Sequence, residues 1–233
     1  MAKFKLSVCL SIFSLVMGVF SSFGQNQGII IFKDDFYANT NGWEEQEDNN
    51  KKLSITNGEY FLQNKKDNIP VIVDKEIHLD QEQDFCIEFR VSKVKGNNNA
   101  GYGLIWGKND TNFYGFYITG QGKYFFIRQN GEKREFLRNE TLSTAILTKT
   151  PTNDIKVEKT GSRINFYVNN TLIDGLPFFT LFGNGIGFCI EGWATVSIDY
   201  IKVYSTKELS TQNKTIHLKE DFSGKILPWP IDD

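Results

Sequence analysis

Between Gly28 and Tyr204 the sequence is a succession of short runs rich in Ile, Val, Phe and Tyr, bounded by Asn, Gly, Lys and Asp. Apolar and polar residues alternate within these runs, and no segment has a convincing helical pattern. Many short strands separated by turn residues are typical of β-sandwiches and barrels. The pattern predicts strands at Gly28–Asp34, Leu53–Ile55, Glu59–Gln63, Val71–Leu79, Phe85–Lys93, Tyr102–Trp106, Phe113–Thr119, Lys123–Arg128, Glu135–Leu137, Asp154–Lys159, Arg163–Val168, Thr171–Asp174, Gly185–Glu191 and Ala194–Tyr204.

The alternation also assigns side chains to the two faces of a strand. From Phe85 to Val91 the residues at odd positions are apolar, whereas Cys86, Glu88 and Arg90 occupy the other side. Since successive side chains of a strand point to opposite faces, only the apolar set is expected between the sheets. The residues predicted for the core are Phe85, Ile87, Phe89, Ile164, Phe166, Val168, Ile186 and Phe188.

Two local features are predicted from the same pattern. In the last strand the apolar pair Val196/Ile198 is out of phase with the pair Ile201/Val203. A β-bulge near Asp199–Tyr200 would return both pairs to the core face. The dipeptide Asn169–Asn170 between two strands predicts a two-residue hairpin turn.

The N-terminus has the features of an export signal. Lys3 and Lys5 precede the uncharged apolar run Leu6–Phe20, and the small-residue segment Ser21–Gly24 follows. This order is typical of a secretory signal peptide, and we predict cleavage after residue 24. A membrane anchor is the alternative, but the run is shorter than the about 20 residues that a span needs. The sequence therefore predicts a secreted, periplasmic or cell-surface protein with no membrane span after cleavage, whose folded domain occupies residues 25–206.

Composition narrows the possible partners and chemistry. The formal net charge is −2 and no cluster of Lys and Arg occurs, which argues against a nucleic-acid or anionic-membrane partner. The chain has only two His, which leaves little room for zinc or triad chemistry. Cys86 and Cys189 remain after cleavage and both lie in predicted strands. An exported protein can hold a disulfide, but unpaired buried cysteine is also common in strands, and both states stay open.

The C-terminal segment repeats an earlier one. In Phe32–Trp43 and in Leu218–Trp229 a hydrophobic residue is followed by Lys, two acidic residues and Phe, with Trp seven positions later. One interpretation is that a second copy of the domain begins near Thr215 and is cut off at Asp233, with residues 207–233 as linker and tail. The alternatives are chance, and a C-terminal clasp that packs on the sandwich.

A glycosidase needs paired carboxylates about 5–10 Å apart on either side of the scissile bond. The Glu-x-Asp-x-x-Glu and Glu-x-Asp-x-Glu patterns of laminarinase-type enzymes are absent from the sequence. Glu88 and Glu191 are single acids in predicted strands that could meet across strands. No cofactor is predicted, although the Asn-rich loops Gly96–Gly101 and Gly107–Asn112 could donate oxygen ligands to calcium.

The order of several segments resembles a known family. These segments are "DDF…NGW", "NGEYFL", "FCIEFRV", "GYGLIWG…NFYGFYITGQGKYFFIRQNG", "INFYVNNTLI", "GIGFCIEG" and "VSIDYIKVY". Over roughly Gly28–Tyr204 they are similar to the concanavalin A-like, laminin G-like jelly-roll modules of exported bacterial proteins. The resemblance implies two stacked antiparallel sheets, one of them concave. It also implies either a sugar hydrolase or a non-catalytic module that binds carbohydrate or protein, and the missing acid patterns favour the module.

The aromatic-rich strands suggest where a ligand would bind. Large residues occupy both faces of "FYGFYI" and "KYFFIR", so one set is expected outside the core. We predict that the outer set is a platform on which a sugar ring stacks, with hydrogen bonds from charged side chains; the alternative is that the rings only stiffen the sheet. The predicted ligand-binding residues are Glu88, Arg90, Trp106, Tyr117, Tyr124 and Arg128. The predicted function is carbohydrate binding, and the alternatives are a glycoside hydrolase and a protein-contact module of a multidomain surface protein.

Overall fold

The structure is a computed structural model that describes residues 28–205. Within this range the chain forms fifteen strands and no helix, and therefore no helix that could cross a membrane. The strands are β1 Ile29–Asp34, β2 Gln46–Glu47, β3 Lys51–Thr56, β4 Glu59–Asn64, β5 Val71–Glu76, β6 Phe85–Gly96, β7 Gly101–Asn109, β8 Asn112–Thr119, β9 Lys123–Asn130, β10 Lys133–Leu142, β11 Thr152–Thr160, β12 Arg163–Val168, β13 Thr171–Pro177, β14 Gly185–Glu191 and β15 Ala194–Ser205. All predicted strands are present, and only the two-residue β2 was not predicted. The predicted signal peptide and the tail 207–233 lie outside the described residues.

The strands form two antiparallel sheets. Sheet A has the order β13-β12-β11-β6-β15-β4-β3-β2, and β1 pairs with the C-terminal half of β15. Sheet B has the order β10-β9-β8-β7-β14-β5. The inner faces of the two sheets pack together, which confirms the predicted all-β sandwich.

The core between the sheets is rich in aromatic rings. All eight side chains that were predicted for it are buried there. Phe166 on β12 lies where the two sheets meet, and its ring centroid is 4.1 Å from that of Phe126 and 5.2 Å from that of Phe116, both in sheet B. Aromatic packing across the two sheets therefore holds the sandwich together.

The two predicted local features are also confirmed. The pairing of β15 with β6 shifts register between Ile198 and Tyr200, so a β-bulge lies where the phase of the apolar residues changes. Both apolar pairs of β15 are buried as a result. Asn169 and Asn170 have φ of 50° and 63°, as the two central residues of a tight hairpin require.

A buried carboxylate fixes the loop that follows β1. Asp34 accepts hydrogen bonds from the backbone N–H of Phe36 at 2.9 Å, the amide of Asn41 at 2.7 Å and the indole N–H of Trp43 at 2.8 Å. The Trp43 ring in turn stacks on Phe188 of sheet B, with centroids 5.7 Å apart. These contacts explain the spacing of acid, Phe and Trp in this segment. Its C-terminal repeat lies outside the described residues.

The two cysteines of the described range are free and buried. Cys86 on β6 lies on the outer side of sheet A, next to Glu88 and Tyr204. Cys189 on β14 lies on the outer side of sheet B. Because the core separates the two outer sides, no disulfide can join these residues.

We expect both thiols to be inert in the native protein. Burial raises the pKa of Cys86 from 9.0 to about 12, and burial also raises the pKa of Cys189. The thiolate is the reactive species, so Cys86 should react at pH 8 about a thousand-fold more slowly than an exposed thiol. Titration with a chromogenic disulfide reagent in a Cys9→Ser background should label both residues only after denaturation. Rapid labelling of the native protein would show that the thiols are accessible.

Candidate functional site

The outer side of sheet B carries a second apolar cluster. The alternation along β8 and β9 places Tyr117 opposite Phe125 on this side, while Phe116 and Phe126 face the core. Six side chains are buried although they point away from sheet A: Ile105, Phe113, Tyr117, Phe125, Ile127 and Cys189. Burial on an outer side requires that the sheet curves around these residues or that other side chains cover them.

Glycines make room for the rings of this cluster. A Cβ at Gly115 would lie 2.4 Å from the Tyr117 ring, and a Cβ at Gly101 would lie 2.7 Å from the Phe125 ring. Both rings therefore lie flat over positions that have no side chain. They stack on each other with centroids 4.9 Å apart and ring planes at 12°.

An ion pair shows that sheet B is curved. Arg134 on β10 donates to both carboxylate oxygens of Glu191 on β14, at 2.9 and 2.8 Å. Four strand-to-strand steps separate these strands, which in a flat sheet would be about 19 Å. The two side chains can meet only if the sheet is concave on its outer side. We call this outer side of sheet B the curved face.

The curved face contains a cavity of about 300 Å³. Its lining comes from five strands of sheet B and from the turns at Asp110 and Gly131. The apolar lining consists of Pro70, Ile72, Phe113 and Cys189. The polar lining consists of Asp110, Thr111, Gln129, Arg134 and Glu191, and Gly131 also lines the cavity. An apolar wall with a few polar groups is the usual composition of a small-molecule site, and the volume is at the lower end of the usual range.

A buried hydroxyl neighbours Cys189, one of the residues that line this cavity. The Tyr117 hydroxyl has no hydrogen-bond partner among residues 28–205. It neighbours the Cys189 thiol, and burial raises the pKa of Tyr117 well above 10, so the group stays neutral. An unsatisfied buried hydroxyl costs about 1–3 kcal/mol. The curved face thus contains a buried polar group without a partner among these residues, next to a residue that lines its cavity.

The structure does not place the six predicted ligand-binding residues on one surface. Only Tyr117 lies on the curved face. Trp106 is buried between the sheets, stacked on Tyr114 with centroids 5.7 Å apart. Tyr124 is also in the core, and its hydroxyl donates to the carbonyl of Ile173 in sheet A at 3.2 Å. The expectation that Trp106 and Tyr124 share an outer face with Tyr117 was wrong.

The three charged residues of the prediction lie elsewhere. Glu88 and Arg90 are on the outer side of sheet A, where Glu88 accepts from the Tyr204 hydroxyl at 2.6 Å and Arg90 donates to Asp154 at 2.7 Å. Arg128 follows the inward phase of Tyr124 on β9 and is paired with Glu135. Each of the three is therefore engaged with a neighbouring side chain, and none lines the cavity of the curved face.

The pair Glu88 and Glu191 cannot act together on a glycosidic bond. Glu88 lies on the outer side of sheet A and Glu191 on the curved face of sheet B, so the whole core separates the two carboxylates. Two stacked sheets alone are about 10 Å apart, and both side chains point outward from them. The possibility that these acids meet across strands was therefore wrong.

Several cavity residues were not predicted, among them Phe113, Gln129 and Arg134. The signal that could have revealed the curved face is the placement of glycine at alternate positions of "GYGLIWG" and "GIGF". Strands with glycine on one side and bulky residues on the other leave space for rings from neighbouring strands. The pairing of Arg134 with Glu191 has no such signal, because it depends on the curvature of the sheet.

Neither a protein-family model nor a curated protein matches the sequence. Among solved structures, the fold is similar to the CBM2 carbohydrate-binding module of the evolved Dit protein of Lactobacillus casei BL23 phage J-1. The TM-score is 0.53 at 8% identity, and the match covers 77% of this chain and 97% of that chain.

Two longer enzymes also contain a similar fold. For the GH43 protein BlXynB of Bacillus licheniformis the TM-score is 0.56 at 10% identity, over 74% of this chain and 39% of that chain. For a xylan β-1,4-xylosidase of Bacillus halodurans it is 0.52 at 12% identity, over 74% and 38%. The chain thus corresponds to less than half of either enzyme, and identities this low establish the fold alone.

Proposed function

We propose that the protein is an exported, non-catalytic module that binds a neutral carbohydrate in the cavity of the curved face. Its scaffold is, in this proposal, a concanavalin A-like, laminin G-like jelly roll, and its ligand is a glycan outside the cell. The observation that carries the proposal is the cavity itself, which combines an apolar wall with convergent polar groups. The similarity in fold to a CBM2 module supports carbohydrate as the ligand class.

The lining matches the chemistry of a sugar ring. A pyranose has apolar C–H faces and a rim of hydroxyl groups that donate and accept hydrogen bonds. Phe113 and Ile72 offer an apolar surface for the C–H face, and Gln129 and Thr111 offer donors and acceptors for hydroxyls. Thr111 lies in the β7–β8 turn, whereas the other three lie on strands, which position binding groups more rigidly.

The charge of the cavity favours a neutral ligand. Arg134 and Glu191 compensate each other, which leaves Asp110 as the unbalanced charge among the described residues of the lining. An anionic ligand would be repelled by this carboxylate, whereas a sugar hydroxyl can donate to it. The bound Arg134 side chain also keeps Glu191 in place as a hydrogen-bond acceptor.

A hydrolase is the second candidate, because the cavity is lined by two carboxylates, Asp110 and Glu191. Arg134 donates to both carboxylate oxygens of Glu191, so neither oxygen is free to act on a glycosidic bond. Under the binding proposal, the protein releases no reducing sugar from the glycan that it binds. Release that is lost in Asp110→Asn would establish the hydrolase instead.

We expect Arg134→Met to weaken glycan binding at least tenfold, because it removes both the charged rim and the contact that holds the two sides of the curved face together. Isothermal titration with the glycan that binds best on an array would measure the change. Arg90→Met is the matched control, because Arg90 makes a similar bidentate pair with Asp154 on the outer side of sheet A. It should leave the affinity within about twofold. A loss of affinity in Arg90→Met, with none in Arg134→Met, would show that the glycan binds on sheet A instead.

A further inference from the structure

Sheet A has a groove of its own on the side opposite to the curved face. Its cavity volume is about 310 Å³, and it crosses the four neighbouring strands β3, β4, β15 and β6. The lining residues are Lys52, Ser54, Thr56, Phe61, Gln63, Val94, Lys95 and Thr195. We call this the sheet A groove. We propose that it binds an anionic saccharide, independently of the curved face.

The floor of the groove contains an orphaned hydroxyl. Thr195 is 8% exposed, and its side-chain oxygen is buried without a hydrogen-bond partner among the described residues. In the sheet it lies between Gln63 on β4 and Lys95 on β6, both of which also line the groove. Buried polar groups normally have a partner. A ligand hydroxyl in the groove would supply the one that Thr195 lacks.

A β-bulge shapes the apolar wall of the groove. Thr195 of β15 pairs with Lys95 of β6, but the next residue, Val196, pairs with Lys93. Val94 is therefore the extra residue of the bulge, and it is 53% exposed. Bulges commonly re-aim a side chain next to a binding site. Together with the half-buried Phe61 ring, Val94 provides an apolar surface for the C–H face of a sugar.

The charges of the lining identify the kind of saccharide. Two lysines, Lys52 and Lys95, line the groove and no carboxylate does. They occupy one row across the sheet, with Gln63 and Thr195 between them. Glu47 forms ion pairs with both Lys52 and Lys65, so one carboxylate serves two cations. Lys95 has no carboxylate partner within residues 28–205. In a chain of net charge −2, this local excess of positive charge favours a uronate or a sulfated sugar.

Two probes and their neutral counterpart test the proposal by isothermal titration. Trigalacturonate should bind at least tenfold more tightly than its fully methyl-esterified form, and its affinity should fall as salt is raised. A sulfated galactobiose is the second probe. Binding of that probe alone would identify sulfate rather than carboxylate as the anion and would still support the groove. Failure of both anionic probes would overturn the proposal.

Variants then locate the binding. Lys95→Gln should weaken binding of the anionic probe at least tenfold, whereas Arg134→Met on the curved face should leave it unchanged. Thr195→Val should weaken binding at least threefold and at the same time raise the melting temperature, because it removes an unsatisfied buried hydroxyl. If Thr195 had only a structural role, Thr195→Val would change the melting temperature without weakening binding. Loss of binding in Arg134→Met with Lys95→Gln unaffected would assign the acid to the curved face, and would overturn both the groove and the neutral ligand proposed for the curved face.

Discussion

Phe166→Ala should lower the free energy of unfolding by about 3–5 kcal/mol, the usual cost of replacing a fully buried Phe by Ala. Phe166 is 0% exposed and packs against rings of the opposite sheet. The substitution would leave a cavity between the two sheets, at the point where the Phe166 ring contacts rings of sheet B. Chemical denaturation that is followed by tryptophan fluorescence measures the change.

Phe136→Ala is the matched control for this variant. Phe136 is also a phenylalanine in a strand, but it is 50% exposed, so its loss should cost less than about 1 kcal/mol. Equal costs for Phe166→Ala and Phe136→Ala would contradict the arrangement of the core.

Gly103→Ala should be almost as damaging, with a cost of about 3 kcal/mol or more. Gly103 lies in β7, between β8 and β14 in the middle of sheet B. A Cβ at this position would lie 2.1 Å from the carbonyl oxygen of Phe116, a backbone atom that cannot move without disturbing the ladder. The same denaturation measurement gives the cost.

Gly131→Ala separates this steric effect from ordinary backbone strain. Gly131 has φ of 58°, and apart from the glycine and its two chain neighbours no atom of residues 28–205 lies within 4 Å of the position that a Cβ would occupy there. Its replacement should cost only the about 1–2 kcal/mol of a left-handed alanine. A Gly103→Ala variant as stable as Gly131→Ala would mean that sheet B is not built as described.

The fold was predictable because it depends on period-two alternation, which each strand carries in its own residues. Phe85, Ile87 and Phe89 show the core side of β6, and the phase change between Ile198 and Ile201 shows the bulge in β15. Turn chemistry added the hairpin at Asn169–Asn170. The two-residue β2 was missed because Gln46 and Glu47 have no apolar alternation.

The site was harder to predict because it depends on how neighbouring strands line up. The predicted alternation of side chains along β9 is correct. However, the pairing of β8 with β9 places Tyr117 on the same face as Phe125, whereas the prediction placed Tyr117 on the face of Tyr124. The register of a hairpin is set by its turn, and a shift of one residue exchanges the two faces. The prediction for Trp106 failed because the outer positions of β7 belong to Gly101, Gly103 and Ile105, so the alternation turns Trp106 to the core. Contacts such as Arg134 with Glu191 depend on the curvature of a whole sheet.

Binding of a neutral glycan at the curved face is the property on which the proposed function depends. The most direct test is a crystal structure of the protein with the neutral glycan that binds best on an array. We expect a sugar ring in the cavity, in contact with Phe113 and within hydrogen-bond distance of Gln129 or Arg134. A sugar bound on the outer side of sheet A with the curved face empty would contradict the claim, as would an array on which no neutral glycan binds.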